Sequence, residues 1–246
     1  MCTVSWVHDD GGYQLLCNRD EKRTRARATP PIVRIRDGVR FIAPSDGDFG
    51  GSWIGVNEFG VSLCLLNGNG PRSGNHKSRG LLLLDLISAQ SVDDAVGRTS
   101  QTELSVFAPF TLVALEPDLP AAILEWDGKD LAVVLDGDRY MPLISSSFDT
   151  DEVRARRRAE LDRLVQLKGR LNVDVLELFH KSHGESRDAY SACMHRPDAE
   201  TVSCSRVKVS DTHIDFFYTP AAPCERVGVQ FNALTIPSDC VSHICQ

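Results

Sequence analysis

The chain has 246 residues, 42% hydrophobic and 25% charged, a globular mixture that excludes disordered and fibrous classes. Lys plus Arg total 27 against 34 for Asp plus Glu, and the net charge of −7 gives no basic footprint for nucleic acid or an anionic membrane surface. The longest apolar run, Leu81 to Leu84, ends at Asp85 and is too short for a transmembrane segment.

No signal peptide is expected, because Met1-Cys2 has no basic region and Asp9-Asp10-Gly11-Gly12 interrupts any apolar stretch. A cytoplasmic location and reduced thiols are therefore expected for the eight cysteines, at 2, 17, 64, 193, 204, 224, 240 and 245. No Cys-x-x-Cys pair is present, which argues against zinc ribbons and thioredoxin-type chemistry. Without a repeat or linker, one domain over 1–246 is the simplest reading.

Short strands dominate the first two-thirds. Thr3 to His8 alternates, the Asp9–Gly12 turn follows, and Tyr13 to Asn18 runs back. Ile32–Arg36 and Val39–Ala43 flank Asp37-Gly38, a hairpin signal. Ser52–Val56 and Val61–Leu66 flank the Asn57–Gly60 turn, and Gly80 to Ser88 reads as a helix. Further strands are predicted at Phe110–Leu115, Ala122–Trp126, Leu131–Leu135 and Tyr140–Ser145. The strongest helix runs from Asp151 to Leu167, with Asp149 or Thr150 as cap and Val153, Leu161, Leu164 and Val165 as its buried stripe. Val173–His180 is a shorter helix, and strands return at Thr201–Val209, Ile214–Tyr218 and Val227–Asn232. Antiparallel strands with a few helices define an α+β class with helices packed on sheets.

The first hairpin carries chemistry. If Asp9–Gly12 is the loop, antiparallel pairs are residues whose numbers sum to 21, so Cys2 faces Arg19, Val4 faces Cys17 and Trp6 faces Leu15. Opposed side chains share a face about 4.5–5.5 Å apart at Cβ. A guanidinium beside the Cys2 thiol favours thiolate, and a bend after the strand could bring Asp20 round as well. Removal of Met1, usual before a small second residue, would give Cys2 a free α-amine with a reference pKa of about 7.7–8.0. That amine can serve as base for its own thiol. Taken singly, Cys2 also reads as a small residue opening a buried strand, and Arg19 as a surface arginine.

Cys2, Asn18-Arg19-Asp20-Glu21 and Gly50-Gly51-Ser52-Trp53-Ile54-Gly55 together resemble the Asn-Arg-Asp-Glu (NRDE) family, also called the transport and Golgi organisation protein 2 family. The resemblance continues through Asn67, Ser78-Arg79-Gly80 and Ser145-Ser146-Ser147 to the strand after Thr201. That family is similar to the choloylglycine hydrolase and penicillin V acylase branch of N-terminal nucleophile (Ntn) hydrolases. The resemblance implies an αββα four-layer sandwich of two antiparallel sheets. It also implies cleavage of a non-peptide amide, or acyl transfer, through a thioester on the N-terminal cysteine. Carried over, Cys2 resembles the nucleophile, Arg19 and Asp20 the pair that holds the thiol and amine, and Asn67 a backbone oxyanion donor. The hydrolases place a second asparagine donor at about Ser146 and an arginine where this chain has Glu200. Asn18 and Trp53 are candidates for substrate contact. The expected partner is a small amide or acyl substrate, with no cofactor. The alternative is a haem or lipid/acyl-CoA binding and trafficking protein on the same scaffold, because animal members of the family are linked to haem mobilisation and lipid metabolism.

Other groups carry less. Trp53 in its glycine-rich run reads first as packing on neighbouring strands. Arg154, Arg156, Arg157 and Arg158 read as a solvated helix face pairing with Asp151, Glu152 and Glu160. Lys22, Arg23, Arg25 and Arg27 could rim a site for an anionic ligand. His180, His183, Cys193 and His195 could hold a metal in principle, but spacing fixes no third ligand, and none is expected. Gly68-Asn69-Gly70 lacks the strand–glycine–helix context of a phosphate loop, and no Gly-x-Ser-x-Gly elbow is present.

Overall fold

A computed structural model describes residues 2–68 and 76–237. Met1, Asn69, Gly70, Cys240 and Cys245 lie outside the described residues. In chain order the elements are β1 (Cys2–Asp9), β2 (Gly12–Lys22), β3 (Thr29–Arg36), β4 (Val39–Ser45), β5 (Ile54–Asn57) and β6 (Ser62–Asn67). Two helices follow, α1 (Arg79–Leu86) and α2 (Val92–Gln101), then β7 (Phe110–Leu115), β8 (Ala122–Trp126), β9 (Leu131–Val134) and β10 (Leu143–Ser145). The chain continues with α3 (Thr150–Lys168), α4 (Val173–Lys181), β11 (Ala199–Val209), β12 (His213–Thr219) and β13 (Gln230–Thr235).

The strands form two antiparallel sheets. One has six strands in the order β10-β1-β2-β11-β12-β13, and the other has seven, β3 to β9 in sequence order. Three apolar clusters separate four layers. Trp6, Leu15, Ile54, Leu66 and Phe216 fill the space between the sheets. Leu82, Leu83, Leu86 and Ala95 of α1 and α2 pack on the outer face of the seven-stranded sheet. Leu161, Leu164, Leu176 and Phe179 of α3 and α4 cover the six-stranded sheet at Leu16. The expected αββα sandwich is therefore present, and its physical basis is period-two alternation on strands buried on both faces.

The predicted hairpin register holds at each pair: Cys2 lies opposite Arg19, Val4 opposite Cys17 and Trp6 opposite Leu15. Gly11, at φ +69°, supplies the left-handed position of the turn. Helix α2 is not evident from the sequence, because Gly97 and four carboxyl or hydroxyl residues dilute its apolar stripe. Its signal was the cap: the Ser91 side chain accepts from Asp94 N. Only Leu143–Ser145 of the predicted strand Tyr140–Ser145 pairs in a sheet, since Asp138–Tyr140 forms a 3-10 turn and Pro142 has no N–H for a ladder. The last strand is Gln230–Thr235, shifted from the predicted Val227–Asn232.

Helix α3 departs from expectation at two points. Asp149 sits at φ +36° with no side-chain cap hydrogen bond. Arg157, expected on a solvated face, is only 1% exposed. It falls on the buried stripe with Val153, Leu161 and Leu164, at helical spacing.

Tyr13 ties the two sheets together. Its hydroxyl hydrogen-bonds Gly60 O and Ser62 Oγ, each at 2.7 Å. Tyr13→Phe leaves those partners buried and is expected to cost about 1–3 kcal/mol in chemical denaturation, with an unchanged m-value.

Candidate active site

Cys2 opens β1 and is buried, with Arg19 of β2 on one side and Ser145 of β10 on the other. Its main-chain N–H donates to Ser145 Oγ at 2.9 Å. The face of β1 that carries Cys2, Val4 and Trp6 looks into the space between the sheets. Its other face carries Thr3 and Ser5, and these meet Arg157 and His180 of the helical layer.

The same alternation divides the Asn-Arg-Asp-Glu motif. Arg19 points with Cys2, and its guanidinium stacks 4.3 Å from the Trp53 ring centroid and donates to Asp46 Oδ2 at 2.5 Å. Asn18 faces the helices, where its side-chain amide donates to His180 O and Ala192 O, both at 2.9 Å. Asn18, expected to contact substrate, is fully buried there and is not among the residues that line the cleft. Asp20 bridges the two regions. Its carboxylate accepts from Thr201 Oγ1 at 2.6 Å and from the Arg157 guanidinium at 3.4 Å, and it also lines the cleft above Cys2. A register shift in β11 between Thr201 and Ser203, opposite Asp20 and Arg19, accompanies this turn of the chain. Glu21 salt-bridges Arg19 at 3.4 Å and Arg25 at 3.8 Å.

Cys2, Arg19, Asp20, Trp53 and Asn67 line one cleft of about 440 Å³. The glycine motifs shape its wall. A Cβ on Gly51 would sit 2.5 Å from the Gly80 backbone, and one on Gly80 would sit 2.8 Å from Ser52 N, so both must be glycine for Ser52 N to reach Gly80 O. Trp53 and Arg79, close to these two glycines in the chain, both line the cleft. Trp53 is 6% exposed, so the packing reading holds, yet it also lines the cleft and stacks on Arg19.

Ser146 is placed differently. Its hydroxyl accepts from Phe148 N at 3.1 Å, and Ser146 is not among the residues that line the cleft. Ser145, one residue earlier, is the serine bonded to Cys2. Glu200 pairs with Arg23 at 2.7 Å, so a cation stands close to the position where the hydrolases carry an arginine. The sequence reading also missed His76, Asp46 and Arg157. These three, like Ser145, arrive by contacts between distant parts of the chain.

The thiol of Cys2 does not behave as the hairpin suggested. A hydrogen bond with Cys17, followed by burial, pushes its pKa well above the ordinary range. Arg19 is committed to Asp46 and Trp53, so its charge is largely spent there. Trp53 Nε1 and His76 Nε2 are buried without a hydrogen-bond partner among the described residues. Such groups are uncommon and mark places where a ligand's polar atoms could bind.

Solved structures share this arrangement of two sandwiched antiparallel sheets with outer helices. Penicillin V acylase from Agrobacterium tumefaciens aligns with a TM-score of 0.54 at 12% identity, covering 96% of this chain and 86% of that one. A mutant conjugated bile acid hydrolase from Clostridium perfringens aligns at 0.54 and 12%, covering 96% and 92%. The Caenorhabditis elegans ortholog of N-acylethanolamine-hydrolyzing acid amidase aligns at 0.53 and 12%, covering 92% and 94%. A search of curated protein sequences returns no match. The family model for Transport and Golgi organisation 2 matches residues 1–193, and the chain belongs to that family. No helix among the described residues is long and apolar enough to cross a membrane.

Two outcomes test this geometry. Arg157→Met strands the Asp20 carboxylate in the core and should lower unfolding free energy by about 3–5 kcal/mol. In protein that retains Met1, iodoacetamide should label Cys2 slowly at neutral pH. Because the thiol pKa is raised, the rate should climb about tenfold per pH unit on the alkaline side. Rapid labelling at neutral pH, followed by peptide mass mapping, would contradict the buried neutral thiol.

Proposed function

We propose that this protein is an Ntn-type cysteine amidohydrolase or acyltransferase that acts on a non-peptide amide or an acyl thioester. The observation that supports this most is the place of Cys2: it opens a central strand at the cleft, with its nitrogen held 2.9 Å from Ser145 Oγ. Loss of Met1 converts that nitrogen to an amine. The resting thiol is neutral, so it needs a base, and the amine is the nearest one by covalent geometry.

The amine takes the Sγ proton as sulfur attacks the carbonyl carbon. The carbonyl electrons move to oxygen, which the Asn67 N–H stabilises, and such a donor is worth about 2.7–4 kcal/mol. The amine then gives its proton to the leaving nitrogen, the C–N bond breaks, and the thioester remains. Water, or an acceptor nucleophile, attacks the thioester and restores the thiol. Asp20 orients the amine, and Arg19, stacked on Trp53, holds the wall against which the acyl group lies. Trp53 Nε1 and His76 Nε2 supply unpaired polar contacts to the substrate.

The competing reading, haem or acyl-CoA carriage, draws on His76, whose Nε2 is buried and unpartnered in the same cleft. One set of experiments separates the two. For the enzyme, intact mass shows Met1 removed, a panel of N-acyl amides and acyl thioesters yields turnover, and Cys2→Ala lowers it by roughly 10⁴-fold or more. Retained Met1 in active protein, or turnover that survives Cys2→Ala, overturns it. Stoichiometric haem uptake lost in His76→Ala, with no acyl turnover, supports carriage instead.

A further inference from the structure

A second group of reactive side chains lies outside the cleft. His183 follows α4, Cys193 and His195 sit in the segment leading to β11, and Cys224 lies beyond β12. Their four ligand atoms all lie within 4.8 Å of one another. Cys193 Sγ is 3.5 Å from His195 Nε2, and Cys224 Sγ is 3.4 Å from the same atom. Zn–S bonds of about 2.3 Å and Zn–N bonds of about 2.0–2.1 Å on a tetrahedron place S and N roughly 3.5 Å apart. The two measured edges therefore match a metal polyhedron already.

The state of the ligands points the same way. His183 Nε2 is buried and has no hydrogen-bond partner among the described residues. The His183 and His195 rings stand 5.2 Å apart at their centroids. At His195 Nε2, two thiols and the exposed Arg187 guanidinium, at 3.1 Å, converge on one ring nitrogen. A single lone pair cannot satisfy three donors. One divalent ion satisfies all four side chains at once.

We propose that His183, Cys193, His195 and Cys224 form a Cys₂His₂ site for Zn²⁺. The ion binds as both thiols release their protons, giving two Zn–S and two Zn–N bonds and a complex of zero net charge. Arg187, which reaches both His195 Nε2 and Cys224 Sγ, is exposed and has to leave these two atoms for the ion to bind. All four positions carry protein ligands, so the site is closed and structural and leaves no place for a reacting water. Borderline-soft ligands of this composition select Zn²⁺ over Mg²⁺ or Ca²⁺.

The site's place in the fold gives it a task. The segment between α4 and β11 has little regular structure, yet it holds the active-site support in place. Its Ala189 O and Tyr190 O accept from Arg157, its Ala192 O accepts from Asn18, and Met194 N donates to the Thr201 hydroxyl that binds Asp20. Zinc joins both ends of this segment to the strand exit at Cys224. His183 and Cys193 lie within the stretch that the family model matches, and His195 and Cys224 lie past it.

The test uses the full-length reduced protein, freed of metal, with Zn²⁺ alone and then Co²⁺ alone as probes. One equivalent of Zn²⁺ should bind and raise the unfolding temperature. Co²⁺ should give intense tetrahedral visible bands together with a thiolate-to-metal charge-transfer band. Cys224→Ser and His195→Ala should each weaken binding by more than the roughly 10–100-fold caused by losing an outer-shell partner. Cys204→Ser, outside the group, should leave binding unchanged. If either cluster variant fails to fold, X-ray absorption on wild-type protein with Zn²⁺ should still return two sulfur and two nitrogen neighbours. Reduced wild-type protein that takes up neither metal overturns the proposal. So does a Co²⁺ spectrum without sulfur charge transfer, or a Zn²⁺ shell of oxygen and nitrogen only. The readouts are independent of acyl turnover, so this site and the proposed activity fail separately.

Discussion

The buried ion pair between Asp20 and Arg157 is the constraint on which the candidate site rests. Removing two charges from water costs several kcal/mol, and at 3.4 Å their attraction alone is poor compensation. What makes the pair tenable is its full set of partners. Thr201 donates to Asp20, while Thr3, Ala189 and Tyr190 accept from Arg157. The four partners come from three separate pieces of chain: β1, β11 and the segment after α4. The pair thus specifies the relative position of the helical layer and the strand that begins with Cys2.

From that constraint the two faces of β2 take separate duties. Asn18 and Asp20 anchor the sheet to its helices, and Arg19 stands in the cleft against Trp53 and Asp46. The motif therefore chiefly fixes the strand that begins with Cys2. In the proposed reaction, chemistry is left to the thiol, its own nitrogen and the donors that meet the oxyanion. A neutral resting thiol is consistent with that division, because burial suppresses stray oxidation and alkylation until substrate arrives.

The proposed zinc site extends the same logic outward. Arg157 draws its acceptors from a segment with few strand or helix hydrogen bonds of its own. A polar core element held by a loop is only as ordered as the loop. Cross-linking that loop to the chain after β12 is a physical answer to a demand created at Asp20.

The sequence by itself determined the opening hairpin, its register and the shared face of Cys2 and Arg19, because a tight turn and period-two alternation are local properties. It also determined the antiparallel strands and the long helix, and its motifs pointed to the αββα layers. It could not place Arg157 inside, since a run of arginines on a helix reads as solvated until an acid from a distant strand meets it. It could not separate Ser145 from Ser146, because one residue of register along a short edge strand decides which hydroxyl faces Cys2. Nor could it find Cys224, which lies 29 residues from His195 along the chain and 3.4 Å away in space. Electrostatic partners and metal ligands are set by distance in three dimensions, and that quantity exists only after the sheets have packed.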